Sequence, residues 1–509
     1  MKSATALLGA LAAASVATGQ NDPATSSIQV PATTVVTGVL ATDVDGDGLT
    51  DLVLACRDSA AQRRELRLHL RKASQPCFGN EPSKPPLPIE KDVIAFTYAD
   101  CDPSPGRELV LLTTDRCVAV VPQPEGEPRY VPLFAPQLVW PAPELSAVLP
   151  LPRACGDFDG DGRDDLLVPE PDGALLHRHG RAANDAQHLR LPAWRSTLAA
   201  AGTGGPASVG DNRLNLQLSF ADEDPEGTAP RDRGPLLSLR TRAPQFRSLD
   251  RDGDGKRDLV ALRNGQLWTW LQTANGDFAA PTAVEMPLPG DRLALFDPAF
   301  DVQLARVDAD ARPDLVLTTS ARQQDEIEVR IDLFRTRADG SWPAKPDRRL
   351  RMQTLAKAPQ LVDADGDGHL DLVALTMRTD RLKGLTGDAP TALEVQLNVF
   401  RGNGETFATP AATTQLLQLP IDGGRSRGPF LEVLAGNAGA AGTVLLQSGA
   451  TLQRRPFRRD GDRLQLAPAT ASLPLGNAAR LRGLDHADGS PTGEVVVWLD
   501  QEVQHVRML

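Results

Sequence analysis

Asp43-Val-Asp45-Gly46-Asp47-Gly48-Leu49-Thr-Asp51-Leu-Val-Leu54 carries carboxylates at positions 1, 3, 5 and 9 of a nine-residue loop, glycines at 4 and 6, and an apolar run behind. The same arrangement returns at Asp157–Asp165, Asp250–Asp258 and Asp363–Asp371. Alternate carboxylates on a tight turn converge their oxygens on one point. Calcium takes about six to eight oxygens at about 2.3–2.6 Å and tolerates irregular geometry. The expected ligands are therefore Asp43, Asp45, Asp47 and Asp51; Asp157, Asp159, Asp161 and Asp165; Asp250, Asp252, Asp254 and Asp258; and Asp363, Asp365, Asp367 and Asp371. The backbone carbonyl at position 7 adds one more oxygen from Leu49, Arg163, Lys256 or His369. That makes about four calcium ions. The glycines supply the left-handed turns that draw the ligands together.

An EF-hand begins the same way but needs a bidentate Glu at position 12 and flanking helices. Position 12 here is Leu54, Val168, Ala261 or Ala374. The ninth residue opens a β-type run instead, so the loop sits in a hairpin. The competing reading is a set of metal-free Asp-Gly turns. Packing four carboxylates into nine residues without a cation is self-repulsive, and the pattern repeats four times.

Weaker copies fill the gaps. Asp100-Cys-Asp102-Pro-Ser104-Pro-Gly-Arg-Glu108 has Pro where the loop wants Gly, and Arg306-Val-Asp308-Ala-Asp310-Ala-Arg-Pro-Asp314 has Arg at the first ligand position and Ala for both glycines. The second of these is expected to be metal-free, with Arg306 supplying the missing charge. Eroded copies follow at Ala435–Thr443 and near Asp485–Glu494. Loop starts fall at 43, 100, 157, 250, 306, 363, about 435 and about 486, and four of the steps are 56 or 57 residues.

One unit reads as four strands. Gln245-Phe-Arg-Ser-Leu enters the fourth loop and Asp258-Leu-Val-Ala-Leu leaves it. Asn264-Gly265 is a hairpin turn, Gln266–Gln272 alternates, Asn275-Gly276 turns again, and a fourth strand starts at Phe278. The strand after each loop is apolar on both faces, as a sheet covered on both sides requires. Four-stranded antiparallel units stacked around an axis make a β-propeller. The fold class is therefore all-β, with eight blades expected and seven as the alternative. The last unit lacks a strand, and Ser27–Val30 is placed to complete it beside Glu502–Met508 and close the ring. A longer step after the third loop leaves room for an inserted hairpin at about 205–242.

Lys2 followed by an Ala-rich apolar run to Ala17 reads as a signal peptide over 1–19, leaving 20–509 as one exported propeller. No stretch is long and apolar enough for a membrane span. The net charge of −12 argues against nucleic acid or an anionic membrane as partner. Export permits disulfides. Cys56–Cys77 and Cys101–Cys117 are candidate pairs because each lies within one unit, leaving Cys155 free; five buried thiols are the alternative.

The loops, together with Asn-Gly-Glu-Thr-Phe407 and Asn-Gly-Asp-Phe278, resemble the FG-GAP repeats of integrin α chains and bacterial VCBS-type proteins. The resemblance spans nearly all of 20–509 and is specific at the four complete loops. It implies a calcium-binding β-propeller with the metal loop between the first two strands of a blade. Proteins of this kind include adhesins, lectin-like modules, scaffolds and some polysaccharide lyases, so the fold does not settle function.

No Gly-x-Ser-x-Gly, His-Glu-x-x-His, phosphate-binding Gly loop or Cys-x-x-Cys occurs. His177 and His179 share a strand face, as do Trp268 and Trp270. An exposed strand and a patch between blades are the plainer readings of those pairs. The expected function is a non-enzymatic adhesion, recognition or scaffold module with a protein or glycan ligand. The alternative is a calcium-dependent carbohydrate-active enzyme such as a polysaccharide lyase.

Overall fold

The computed structural model describes residues 25–507 apart from 59, 73–77, 102–105, 114, 122–127, 137–147, 152–153, 171, 180–185, 192–245, 264–265, 287–300, 311, 324–325, 353–358, 378–391, 421–430, 436–440, 449–450, 462, 475–482, 487–493 and 499–501. Within these residues the strands form eight sheets. Sheet one runs Thr34–Thr42, Asp51–Asp58, Arg63–His69 and Leu87–Ile89, each antiparallel to the last. Sheets two to seven repeat this meander over 93–150, 155–190, 246–285, 301–352, 360–420 and 431–474. Sheet eight holds Gly483–His486, Glu494–Trp498 and Glu502–Arg507, and Thr25–Gln29 pairs with its last strand. The first and last of the described strands thus meet in one sheet, as the sequence led us to expect. Among the described residues no helix is long and apolar enough to cross a membrane.

The strand behind each loop explains the layout. In Asp51–Asp58, Leu52 and Leu54 pack with Ile28 and Val503 of sheet eight, while Val53 and Ala55 pack with Phe96 and Leu111 of sheet two. Side chains alternate across a strand, so a strand gripped on both faces must be apolar at every position. The same division recurs. Leu166 and Val168 face sheet two, and Leu167 faces Leu259 and Ala261 of sheet four. Val260 meets Leu315 and Leu317 of sheet five, Val316 shares a cluster with Leu372 of sheet six, and Val373 meets Val444 and Leu446 of sheet seven. Each fully buried Leu or Val contributes about 1.5–3 kcal/mol. Successive sheets packed face to face, with the first and last described strands sharing one of them, make this an all-β propeller.

Several details depart from the sequence reading. The fourth strand of sheet four is Thr282–Glu285, not a strand starting at Phe278; Phe278 forms a single bridge to Gln272 and buries its ring. Phe407 repeats this, bridging Gly402. The Asn-Gly turn therefore closes a small side loop that plants an aromatic between sheets before the last strand forms. Sheet two gains a short parallel strand, Leu149–Pro150. In sheet seven, Thr451–Asp460 pairs Arg463–Leu466 along one half and Ala471–Pro474 along the other. Asp485 lies inside a strand opposite Val496, and residues 487–493 of the eighth copy lie outside the described residues. The leader over 1–19, the hairpin at about 205–242, the turn Asn264-Gly265 and Cys77 lie outside the described residues.

Candidate metal centre

Each complete loop is organised by its first aspartate. Asp43 accepts the Gly46 N–H on Oδ1 at 2.8 Å and the Gly48 N–H on Oδ2 at 2.9 Å. Asp157, Asp250 and Asp363 grip the matching glycines in the same way. Both glycines take positive φ in all four copies, between 76° and 87°. A Cβ on Gly48, Gly162, Gly255 or Gly368 would meet nothing within 4 Å, so conformation and not space demands glycine there. The third and fifth aspartates accept N–H groups two residues on, as Asp45 does from Asp47 and Asp47 from Leu49. Arg163, Lys256 and His369 donate their N–H to the fifth aspartate in the same register as Leu49.

The ninth aspartate has a part that the sequence reading missed. Asp51 is fully buried, accepts the Val44 N–H on Oδ2 and accepts the Arg71 N–H on Oδ1. It thereby ties the loop to the chain just past the third strand. Asp165 does this with Phe158 and His179, Asp258 with Arg251 and Gln272, and Asp371 with Ala364 and Gly402. Asp314 of the incomplete fifth loop does the same with Val307 and Thr336. In the second loop Glu108 accepts the Cys101 N–H. The signal was present in the sequence, since position 9 stays acidic in loop two, which loses both glycines, and in loop five, which loses positions 1, 4 and 6.

Burial drives the ninth carboxylates upward, against the pull of the backbone N–H groups they accept. Asp51, Asp165 and Asp314 rise to about 6 and Asp371 to about 7; Asp258 also rises. Neighbouring loop carboxylates push the same way.

Carboxylate oxygens of Asp43, Asp45 and Asp51 lie within 4.8 Å of one another, as do those of Asp157, Asp159 and Asp165, and of Asp363, Asp365 and Asp371. In the fourth loop the set is Asp250, Asp252 and Asp254, without Asp258. Asp47, Asp161 and Asp367 stand outside the tightest triads. The donor sets are hard oxygens alone, which suits calcium and does not suit zinc or copper. Residues and backbone therefore fit the ion expected from the sequence.

The fifth loop does not. Ala309 stays out of the left-handed region, and Arg306 sends its guanidinium 3.4 Å from Asp250 in the fourth loop. The first-position Arg thus makes a weak, exposed contact with the neighbouring loop's carboxylate. The loops also lean on the following blade. The Ala309 N–H donates to Gly404, the Arg251 side chain donates to Gly340 and stacks 5.0 Å from Trp342, and Gly276 fits against Asp159.

The two histidines diverge. His177 is buried 5.1 Å from the Phe134 ring, while His179 is held between the Asp100 carbonyl and Arg163. They make no shared site. Trp270 is buried against Phe246, and Trp268 joins the same core between sheets three and four. Cys101 and Cys117, a candidate pair in the sequence, are not bridged to each other; with Cys155 they line the core between sheets two and three. Cys56 is also free, and burial pushes it up to about 12.

Residues 250–317, covering the fourth loop and reaching past the fifth, match the family model described as FG-GAP-like repeat. The molecule is thus a β-propeller that carries an FG-GAP-like repeat. No curated protein matches the chain in sequence. Among solved structures it is similar to an Agrocybe aegerita lectin studied for recognition of non-reducing terminal N-acetylglucosamine (13% identity over 93% of this chain and 99% of that chain, TM-score 0.39). It is also similar to BBS1N in complex with ARL6DN (11%, 95% and 94%, 0.34) and to a Lactobacillus plantarum protein (9%, 86% and 96%, 0.27). Likeness this low carries no ligand or partner over to this chain.

Proposed function

We propose that the chain is an exported, calcium-binding β-propeller that acts as a non-enzymatic recognition, adhesion or scaffold module for a protein or glycan ligand. The observation that carries this reading is the repeated triad: four loops, each holding three aspartate oxygens within 4.8 Å, on a backbone that two left-handed glycines keep wound. Asp43, Asp45, Asp47 and Asp51 and their counterparts would hold the ions, with the carbonyls of Leu49, Arg163, Lys256 and His369. The ions would neutralise the four complete loops and fix the loop ends of sheets one, three, four and six as a rigid surface. The eight sheets would then be eight blades of one closed ring.

Equilibrium dialysis with calcium after chelator treatment tests the metal reading, and zinc binding in calcium's place would refute it. A glycan array with and without calcium, followed by an ultraviolet assay for unsaturated sugar products, tests the role. Product formation would replace recognition with lyase activity.

A further inference from the structure

The ninth carboxylate sets a common register for the units. The N–H it accepts from beyond the third strand belongs to Arg71, His179, Gln272, Thr336 and Gly402. The residue just before that N–H is therefore equivalent in each copy: Leu70, Arg178, Leu271, Arg335 and Arg401. The first and fourth loops have an apolar residue there. Arg178 hydrogen-bonds Asp277 and Gln187 and reaches Asp159 of its own loop through charge alone, and Arg335 pairs with Asp347. Arg401 instead turns into its own loop. Its Nε lies 2.5 Å from Asp365 Oδ2, a charge contact without hydrogen-bond alignment, and its terminal nitrogen donates to Asp367 Oδ2 at 3.0 Å.

The surroundings make this pair stronger than a surface one. The Asp365 side chain is 1% exposed and that of Arg401 19%. The counterparts of Asp365 in the first and fourth loops, Asp45 and Asp252, are exposed. Near the fourth loop, the buried Arg251 commits its guanidinium to Gly340 and Trp342, and the other two cations are weaker competitors. Lys256 is 40% exposed on a flexible stem, and Arg306 is 56% exposed at 3.4 Å. Exposed pairs of that kind contribute little, whereas a desolvated charge separated from its partner is costly.

We infer that the sixth loop carries its own cation: the Arg401 guanidinium occupies Asp365 and Asp367 in place of part of a calcium ion's charge. The four loops are then not equivalent. The first loads first, and the sixth takes calcium only by displacing Arg401. This rests on the calcium reading above. It predicts an affinity at the sixth loop at least about tenfold below that of the first, the scale on which an opposite charge at this range moves a carboxylate's equilibrium.

The test uses the full chain, stripped with chelator and titrated with calcium by calorimetry and by equilibrium dialysis. The variants are Arg401→Leu, the residue type that stands at 70 and 271, and Arg401→Leu with Asp365→Asn. Arg401→Leu should gain one tight ion over the parent, and the added Asp365→Asn should abolish the gain. In chelator, Arg401→Leu should melt below the parent, and Asp365→Asn should restore part of the loss. Four equivalent ions on the parent, or an unchanged titration in Arg401→Leu, would overturn the inference while leaving the calcium reading intact. No ion on any of the proteins would overturn both. A chelator melting point unmoved by Arg401→Leu would overturn the ion pair itself.

Discussion

Asp314 separates the carboxylate clamp from the metal. Its loop is expected to hold no ion, since Arg306 replaces the first ligand and Ala309 keeps the backbone out of the left-handed turn. The carboxylate is fully buried, and it accepts the N–H of Val307 at 3.1 Å, of Asp308 at 3.2 Å and of Thr336 at 2.9 Å. Val307 and Thr336 are themselves buried. Asp314→Ala strands those two donors, at about 1–3 kcal/mol each, so about 2–6 kcal/mol is lost. That loss applies where the folded carboxyl is neutral. Burial raises its pKa from 3.8 to about 6, so the folded state prefers the protonated form. The clamp's stability is fully present below the unfolded value and falls as pH rises through about 6. The same rise makes the carboxyl about 3 kcal/mol harder to ionise in the folded protein than in the unfolded chain. Asp314→Ala should therefore cost several kcal/mol near pH 4.5 and much less near pH 8, as read by urea unfolding followed by tryptophan fluorescence. Asp314→Asn keeps an acceptor without the charge. Its amide nitrogen cannot accept, so one of the two sides is stranded; it should cost about 1–3 kcal/mol, less than Asp314→Ala, and flatten the dependence. The effects should be the same in chelator and in calcium. A cost that grows with pH, or one seen only with calcium, would refute this account.

Chelation should lower the melting temperature; each site with a dissociation constant of about 10 µM in about 1 mM calcium adds about 2.7 kcal/mol. An unchanged melting curve would mean the loops are ordinary turns. Gly173→Ala should prevent or severely weaken folding, because its Cβ would lie 1.9 Å from the Leu189 carbonyl oxygen, whereas Gly48→Ala, in open space at φ 82°, should cost about 1–2 kcal/mol by circular-dichroism melting. Cys56 and Cys117, buried thiols pushed up by desolvation, should resist a thiol-disulfide reagent until the protein unfolds. Rapid labelling of either under native conditions would contradict their packing.

The fold was legible because its strongest constraint is written in every residue of one strand. Leu52-Val-Leu-Ala55 and its counterparts are apolar without alternation, and only a strand held between two neighbouring sheets demands that. The added strand, Ser27–Val30, was legible from a deficit at the other end of the chain, and Thr25–Gln29 does pair with Glu502–Arg507. What misled was local turn chemistry. Asn275-Gly276 has the composition of a hairpin turn, but Gly276 must also fit against Asp159 of the preceding unit and Phe278 must reach the core. Those two contacts lie beyond the turn itself, so nothing in the local pattern moved the last strand on to Thr282.

The site was legible as a set of ligands but not as a division of labour. Positions 1, 3, 5 and 9 all read as oxygen donors because they are all acidic. In the folded loop they do different things. Position 1 winds the turn through two glycine N–H groups, and position 9 sews the loop to the strand behind it. The losses along the chain follow from that division. Loop five gives up position 1 and both glycines yet keeps Asp314, and loop two keeps Glu108 although its glycines are prolines. A loop can lose its winding residues and still close the hairpin, whereas losing the ninth carboxylate strands buried donors. Loop seven tolerates even that change: Thr443 stands at the ninth position, and its sheet persists because Val444 and Leu446 bury themselves against Val373 and Leu375 of sheet six. Packing between sheets therefore sustains the unit, the ninth carboxylate sets its hairpin, and the outer aspartates are left free to meet a cation, whether an ion from solution or the guanidinium of Arg401.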